Sequence, residues 1–184
     1  MNQLSLTPFP IIITPRLVLR QPAPEDAPEI FLLRSDPQVN KYLERAKAAS
    51  IDDALQFIQK INDSIHANQS FYWVITLKDQ SKTIGCIMLW NLSKENNAAE
   101  IGYELLPDYQ GRGIMQEAIN HVLACAFDKL GLKKIQAWTH KENTQSSRLL
   151  ERNNFSRDAD AEEHAAAKGD IGSMIIYSRI NSNT

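Results

Sequence analysis

The most constraining feature of this sequence is the junction between a strand pattern and the longest helical pattern in the chain. Residues 98–106 alternate as a strand until Pro107 ends the pattern, and residues 111–130 carry apolar side chains at helical spacing. Gly111 and Gly113 stand where this helix begins, and Gly131 is placed to cap its end. The order predicts a strand, a glycine-containing turn and a long helix.

The turn at residues 110–113 also indicates a ligand. A helix N-terminus exposes unpaired N–H groups with about half a unit of positive charge, and glycine lets a diphosphate approach the backbone closely. A tight turn without a ligand explains two glycines equally well when they are taken alone. The sequence has neither GxxxxGK[ST] nor a GxGxxG opening a parallel βαβ unit near its start. A phosphate-bearing ligand other than a mononucleotide or dinucleotide is therefore favoured.

The remaining patterns predict a mixture of helices and strands within a single domain, residues 1–184. Ser50 is placed as the N-cap of a helix, and three consecutive strand patterns predict an antiparallel meander. The polar, acidic residues 158–170 are predicted to be a loop before the last strand. The predicted helices cover residues 25–34, 51–67, 111–130 and 144–152, and the predicted strands cover 17–20, 71–77, 83–90, 98–106, 134–139 and 173–177.

Composition excludes several classes of protein. The chain has 43% hydrophobic and 23% charged residues with a net charge of -2, which is typical of a globular protein and gives no basic excess for nucleic acid or an anionic membrane. The first ten residues lack a signal-peptide pattern and no apolar run reaches the ~18 residues of a membrane span, so a cytoplasmic protein is expected. Cys86 and Cys125 are predicted to be buried thiols, and the four scattered histidines predict no metal site.

The glycine turn and four further segments resemble the GNAT superfamily of N-acetyltransferases, in particular its RimJ/RimL-like branch. Residues 110–113, Gln-Gly-Arg-Gly, match the signature that contacts the pyrophosphate of coenzyme A, although Met115 stands where a small residue is usual. The other matching segments are residues 14–20 with Asp26, residues 36–43, residues 99–103 and residues 143–155. The resemblance covers about residues 13–179.

This resemblance implies an α+β fold in three layers, α/β/α. A mixed, mostly antiparallel sheet of six to seven strands is expected, splayed between strands 4 and 5 and flanked by about four helices. It also implies acetyl-coenzyme A as co-substrate, no metal, an amine acceptor such as a protein N-terminal α-amine, and a monomer or homodimer. The residues expected to contact the coenzyme are Gln110, Gly111, Arg112, Gly113, Ile114, Met115, Asn143 and Ser146, with a backbone N–H of Leu105 or Leu106 as the oxyanion donor.

The resemblance also assigns catalytic roles. Glu100 matches the catalytic glutamate of several GNAT enzymes and is the leading general base, with Glu104 as the alternative because both share a strand face if no bulge intervenes. Ser146 matches a serine near the coenzyme sulfur, whereas a tyrosine acid common in the family is replaced by Glu151. Without the resemblance, both glutamates read as solvated carboxylates, and Asn143 and Ser146 read as helix caps.

Other functions are compatible with the same residues. A non-catalytic acyl-coenzyme A-binding module would keep the glycine turn, and an enzyme for a small-molecule amine, such as an antibiotic or polyamine, would keep the catalytic residues as well. The resemblance places acceptor specificity in residues 35–50 and in the loop before the last strand. The acidic residues of that loop either attract a cationic acceptor or are simply solvated.

Overall fold

The computed structural model describes residues 8–181, in which eight strands form one open sheet. Residues 1–7 lie outside this range. They belong to the first ten residues, for which the sequence predicted no signal peptide. Neighbouring strands are antiparallel except for the parallel pair β5–β6, and their order is β1-β2-β3-β4-β5-β6-β8-β7. The strands are β1 (Ile12–Ile13), β2 (Leu17–Arg20), β3 (Phe71–Leu77), β4 (Thr83–Ser93), β5 (Ala98–Leu105), β6 (Lys134–His140), β7 (Ser156–Arg157) and β8 (Met174–Ile180).

Five α-helices cover the two faces of the sheet. One face packs against α1 and α2 through a core that includes Tyr72, Val74 and Cys86, and the other packs against α3 and α4. Among residues 8–181, no helix is long and apolar enough to cross a membrane. The helices are α1 (Ala27–Ser35), α2 (Ile51–His66), α3 (Ile114–Ala124, continued by a π-helical stretch Cys125–Lys129), α4 (Thr144–Arg152) and α5 (Ala159–Ala167).

The three-layer fold agrees with the sequence prediction, and the differences have local causes. Strands β1 and β7 have two residues each, too few to show a period-2 pattern, so the sheet has eight strands instead of six or seven. The predicted N-cap is confirmed, because the Ser50 side chain accepts a hydrogen bond from the N–H of Asp53. The assignment of residues 1–184 to one domain stays a prediction.

The prediction of a loop at residues 158–170 is wrong, because these residues contain α5. Asp158 is its N-cap and accepts a hydrogen bond from the Ala161 N–H at 3.0 Å. The helix is rich in alanine, which has the highest helix propensity, but Ala165 is its one buried residue. A helix with so narrow a buried face leaves no apolar stripe in the sequence, which explains why the pattern missed it.

The sheet opens between β5 and β6. These strands pair from Ala98–Lys134 to Glu100–Gln136, after which β5 continues beside β4 and β6 continues beside β8. The facing edges of the two strands therefore part beyond Glu100. This is the predicted splay between the fourth and fifth strands, which become the fifth and sixth once β1 is counted.

Candidate active site

The two faces of the opening carry different side chains. The pairing of β5 with β4 is uninterrupted from Glu100 to Leu105, so successive side chains alternate between the faces of the sheet. Glu104 lies opposite Cys86, which belongs to the core beside α1 and α2. Glu100 is four residues earlier on the same strand, so its side chain points to the same face of the sheet. Tyr103 points to the other face, where it packs against the core beside α3 and α4. The condition for the two glutamates to share a face is therefore met.

Glu100 lies at the point where the strands separate. Its side chain is partly exposed and accepts a hydrogen bond from Asn91 Nδ2 at 3.0 Å. Asn91 lies within an irregularity of the β4–β5 register, between Trp90 and Ser93, where a side chain of β4 can turn towards its neighbour. An oriented, solvent-accessible carboxylate at this place can take a proton from a nucleophile entering the opening.

Glu104 is held differently. Both of its carboxylate oxygens accept hydrogen bonds from the guanidinium of Arg45, each at 2.6 Å, and its side chain is only 7% exposed. Arg45 also donates from Nε to Asn40 Oδ1 at 2.8 Å, within the segment that joins α1 to α2. Both oxygens of Glu104 are therefore occupied by Arg45 and do not face an incoming amine. The geometry therefore favours Glu100 over Glu104 as the base.

Removing either partner of this pair should destabilise the protein. We expect Glu104→Gln or Arg45→Met to lower the free energy of unfolding by about 2–3 kcal/mol, because the remaining partner would be left largely buried without its counter-charge. The double variant should lose less than the sum of the single losses. Urea denaturation measures these values, with Lys82→Met as control because Lys82 forms a longer, more exposed pair with Glu29 at 3.7 Å. Single variants as stable as this control would contradict the assignment.

A second contact brings the same segment to the other side of the opening. Tyr42 stacks on His140 at the end of β6, with ring centroids 5.3 Å apart and an angle of 24° between the planes. Residues 36–50 therefore contact both separated strands, β5 through Glu104 and β6 through His140. The segment therefore lies beside the opening, and its expected contact with the acceptor stays a prediction.

On the face of α3 and α4, two hydroxyl groups meet. Tyr103 Oη and Ser146 Oγ are 2.8 Å apart, which links β5 to the first turn of α4. Burial raises the pKa of Tyr103 to about 12, although its hydrogen bond with Ser146 acts in the opposite direction. The phenol is therefore protonated at neutral pH, and the pair has a hydrogen to donate. No sequence pattern pairs Tyr103 with Ser146, because 43 positions separate them.

Asn143 and Glu151 also have partners inside the protein. Asn143 is the N-cap of α4, and its Oδ1 accepts a hydrogen bond from the Ser146 N–H at 3.2 Å, so the capping interpretation holds for Asn143. Glu151, at the position of the family tyrosine, accepts a hydrogen bond from Tyr177 Oη at 3.1 Å. Neither contact tests whether Asn143 or Ser146 touches the coenzyme, which stays a prediction.

The backbone of β5 distinguishes the two candidate oxyanion donors. The Leu106 N–H donates to the Ile84 carbonyl at 2.9 Å, so the backbone of residue 106 points towards β4. In an antiparallel ladder the next residue points the other way, which turns the Leu105 backbone towards the opening. Consistently, the Leu105 carbonyl accepts a hydrogen bond from Gln110 Nε2 at 2.9 Å instead of from β4. Leu105 is therefore the better-placed donor.

The glycine turn has the shape that an anion needs. Gly111 and Gly113 have φ values of 72° and 73°, in the left-handed region, and Gly113 is the N-cap of α3. The helix thus begins at Ile114 and not at Gly111 as the pattern predicted. The first N–H groups of α3 have no carbonyl one turn earlier to bind. A Cβ atom at Gly111 would meet no atom within 4 Å, so the space beside the turn is open. Unpaired N–H groups of this kind are suited to bind an anion, and their contact with the diphosphate of coenzyme A stays a prediction.

Helix α5 forms one wall of a cavity of about 480 Å³ on the face that carries Glu100. Its floor includes Gln136, the neighbour of Glu100, and Trp138, whose Nε1 is buried and finds no acceptor among residues 8–181.

The acidic residues beside this cavity are paired within the protein. Desolvation acts to raise the pKa of Asp158, but hydrogen bonds from Lys134 and Ser178 lower it to about 2. Because Asp158 and Glu162 are each paired with a cation, the acidic stretch attracts ligands less than its sequence suggests.

Comparison with known proteins identifies the family. A family model described as an acetyltransferase (GNAT) domain matches residues 16–156. The chain is 32% identical over 170 residues to the uncharacterized N-acetyltransferase YoaA of Bacillus subtilis (strain 168), an alignment that covers 92% of this chain and 96% of YoaA. The chain therefore belongs to the GNAT acetyltransferase family.

Solved structures share the fold. One is RimL, a ribosomal α-N-protein acetyltransferase in complex with coenzyme A, with a TM-score of 0.79, 18% identity, and coverage of 95% of this chain and 100% of that one. Another is the microcin self-immunity acetyltransferase MccE in complex with acetyl-coenzyme A and AMP, with a TM-score of 0.77, 24% identity, and coverage of 97% and 100%. At these identities, both comparisons show a shared fold and nothing about the acceptor of this chain.

These findings establish an acetyl-coenzyme A-dependent N-acetyltransferase that uses an amine acceptor. The catalytic and coenzyme-contacting residues, the cytoplasmic location and the monomeric or dimeric state stay predictions. Within the described part of the chain, no three His, Cys, Asp or Glu side chains are placed to bind a metal ion.

Proposed function

We propose that this N-acetyltransferase acetylates a protein N-terminal α-amine, using Glu100 as general base and the Tyr103–Ser146 pair as hydrogen-bond donor to the departing sulfur. The observation that carries the proposal is the position of these groups on opposite faces of one opening in the sheet. The attacking amine and the departing sulfur are two different substituents of the tetrahedral carbon, so the base and the hydrogen-bond donor can act on them from different directions. In this arrangement the base, Glu100, lies on one face of the sheet and the hydrogen-bond donors, Tyr103 and Ser146, lie on the other.

The donor side is built from backbone groups. The N–H groups at Gly113, Ile114 and Met115 would bind the diphosphate, with Gln110 and Arg112 flanking the turn. From there the pantetheine arm would follow the exposed edge of β5 towards Glu100. The Leu105 N–H faces the opening along this path, but five residues of uninterrupted strand, about 16 Å, separate it from Glu100. It would therefore donate to the pantetheine arm and not to the acetyl oxygen beside Glu100.

The proton movements follow from the residues on each face. Glu100 would accept a proton from the attacking amine, directly or through one water molecule. Ser146 would donate a hydrogen bond to the sulfur as its bond to the carbonyl carbon breaks, while Tyr103 supports the Ser146 hydroxyl. A free thiol has a pKa of about 8.5, so a hydrogen bond assists its departure sufficiently and a strong acid is unnecessary.

An α-amine fits the acceptor side better than a lysine side chain. Its pKa near 8, against about 10.4 for lysine, leaves a larger neutral fraction and demands less of a carboxylate base. The cavity beside α5 has room for a terminal residue. RimL, which shares the fold, is an α-N-protein acetyltransferase, and its activity is consistent with this class of acceptor.

An acceptor panel tests the proposal. We expect acetylation of peptides with a free N-terminus and little or none of the same peptides when the N-terminus is blocked and only lysine is free, as measured by mass spectrometry of intact peptides. A polyamine and an aminoglycoside complete the panel. Transfer confined to the last two would replace the protein acceptor with a small-molecule amine. Binding of acetyl-coenzyme A without transfer to any amine would indicate a non-catalytic module.

A further inference from the structure

Arg16 lies beside the glycine turn although it belongs to a distant part of the sequence. It precedes β2, and its Nη1 donates a hydrogen bond to the carbonyl of Arg112 at 3.0 Å. Its Nη2 lies 3.5 Å from the position that a Cβ atom would occupy on Gly113. Residues 14–20 resemble the family segment, but the proposed mechanism gives Arg16 no role.

The position of Arg16 is fixed by Glu117, in the first turn of α3. Arg16 Nε donates to Glu117 Oε2 at 2.6 Å and the Arg16 backbone N–H donates to Oε1 at 2.9 Å. Thr14 Oγ1 donates to the same Oε1 at 2.5 Å. Partial burial opposes the charged form of Glu117, but these hydrogen bonds keep its pKa below the usual value. The carboxylate therefore stays ionised and holds the guanidinium in place.

The consequence for the turn follows from the planarity of the peptide bond. The Arg112 carbonyl and the Gly113 N–H belong to one trans peptide group, in which they point in opposite directions. Because Arg16 holds the carbonyl, the Gly113 N–H is turned away from Arg16. Glycine at positive φ would otherwise let this peptide rotate, since residues without Cβ populate both signs of φ.

We propose that Arg16 is a positioning residue of the diphosphate site: by holding the Arg112 carbonyl, it presets the Gly113 N–H to donate to the diphosphate of acetyl-coenzyme A. This inference rests on the proposed position of the coenzyme. The anchor from Glu117 also balances most of the charge of the guanidinium, whose side chain is 49% exposed. Arg16 thus acts through the backbone of the turn, and orientation matters more than net charge.

Two thioester donors test this role. Acetyl-coenzyme A contains the diphosphate, whereas acetyl-pantetheine carries the same thioester without it. Arg16→Gln should raise the KM for acetyl-coenzyme A about tenfold, as expected for loss of a hydrogen bond to a charged group, and leave the KM for acetyl-pantetheine unchanged. Arg16→Lys should behave like Arg16→Gln, because one ammonium cannot hold Glu117 and Arg112 in the fork that arginine provides. Arg152→Gln, which removes an exposed arginine from α4, should match the wild type with both donors.

Each alternative gives a different pattern. Equal losses with both donors would show that Arg16 only stabilises the fold, and a wild-type KM in Arg16→Lys would show that charge alone matters; either result overturns the inference. Unchanged kinetics in Arg16→Gln would overturn it too. If instead the wild type showed no preference for acetyl-coenzyme A over acetyl-pantetheine, the diphosphate site at the turn would itself be wrong, which distinguishes failure of the proposed function from failure of this inference.

Discussion

Glu100→Gln is expected to lower kcat by about 10²- to 10³-fold, within the range contributed by a positioned general base. Glutamine keeps the size of the side chain and can still contact Asn91, but it cannot accept a proton from the amine. Affinity for acetyl-coenzyme A should stay within about twofold of the wild type, because the diphosphate site lies elsewhere. Steady-state kinetics with the best acceptor, combined with calorimetric titration of the coenzyme, measures both quantities.

Two variants make the test of Glu100 specific. Glu95→Gln changes an exposed carboxylate in the turn between β4 and β5 and should leave kcat unchanged. Glu104→Gln should act mainly on stability, through the lost pair with Arg45. If Glu104→Gln abolished turnover at a temperature where it is folded while Glu100→Gln stayed active, the two roles assigned to these glutamates would be reversed.

Gly111→Trp is expected to weaken acetyl-coenzyme A binding by more than about 100-fold, since the indole would project into the open space that the diphosphate is proposed to fill. A non-glycine residue at positive φ also costs roughly 1–2 kcal/mol of stability. Calorimetric titration measures the affinity, and thermal unfolding measures the cost to the fold.

Gly131→Trp is the matched control for this variant. Gly131 has a φ of 67° and, as at Gly111, a Cβ atom there would meet nothing within 4 Å, but it lies beyond the opposite end of the same helix. The two variants should lose similar stability, and Gly131→Trp should keep its affinity for the coenzyme. A comparable loss of affinity in both would mean that backbone strain, and not the occupied space, reduced binding.

Local sequence signals predicted the parts of the fold that depend on local interactions. The Ser50 cap, the meander from β3 to β5 and the glycine turn follow from residues close together in the chain. Helix α4 was predicted at residues 144–152, and the structure has it at Thr144–Arg152, because Asn143 caps it and Leu150 is its buried anchor. Helix α5 was missed because alanines on a polar helix leave no periodic pattern.

The contacts that complete the site join residues far apart in the sequence. Tyr103 and Ser146 are 43 positions apart, Arg45 and Glu104 are 59 apart, and Arg16 and Glu117 are 101 apart. No spacing rule pairs such residues, since their separation depends on the whole sheet being formed. The family resemblance supplied the roles of Glu100 and Ser146, whereas the anchoring of Glu104 by Arg45 became visible only in the structure.

The measurement that tests the account most directly is a crystal structure of the protein with a non-reactive acetyl-coenzyme A analogue. We expect the diphosphate within hydrogen-bond distance of the N–H groups at residues 113–115 and the pantetheine arm within hydrogen-bond distance of the Leu105 N–H. The thioester should lie between Glu100 on one face and Ser146 on the other. A coenzyme bound away from the glycine turn, or an acyl group outside the opening between β5 and β6, would contradict it.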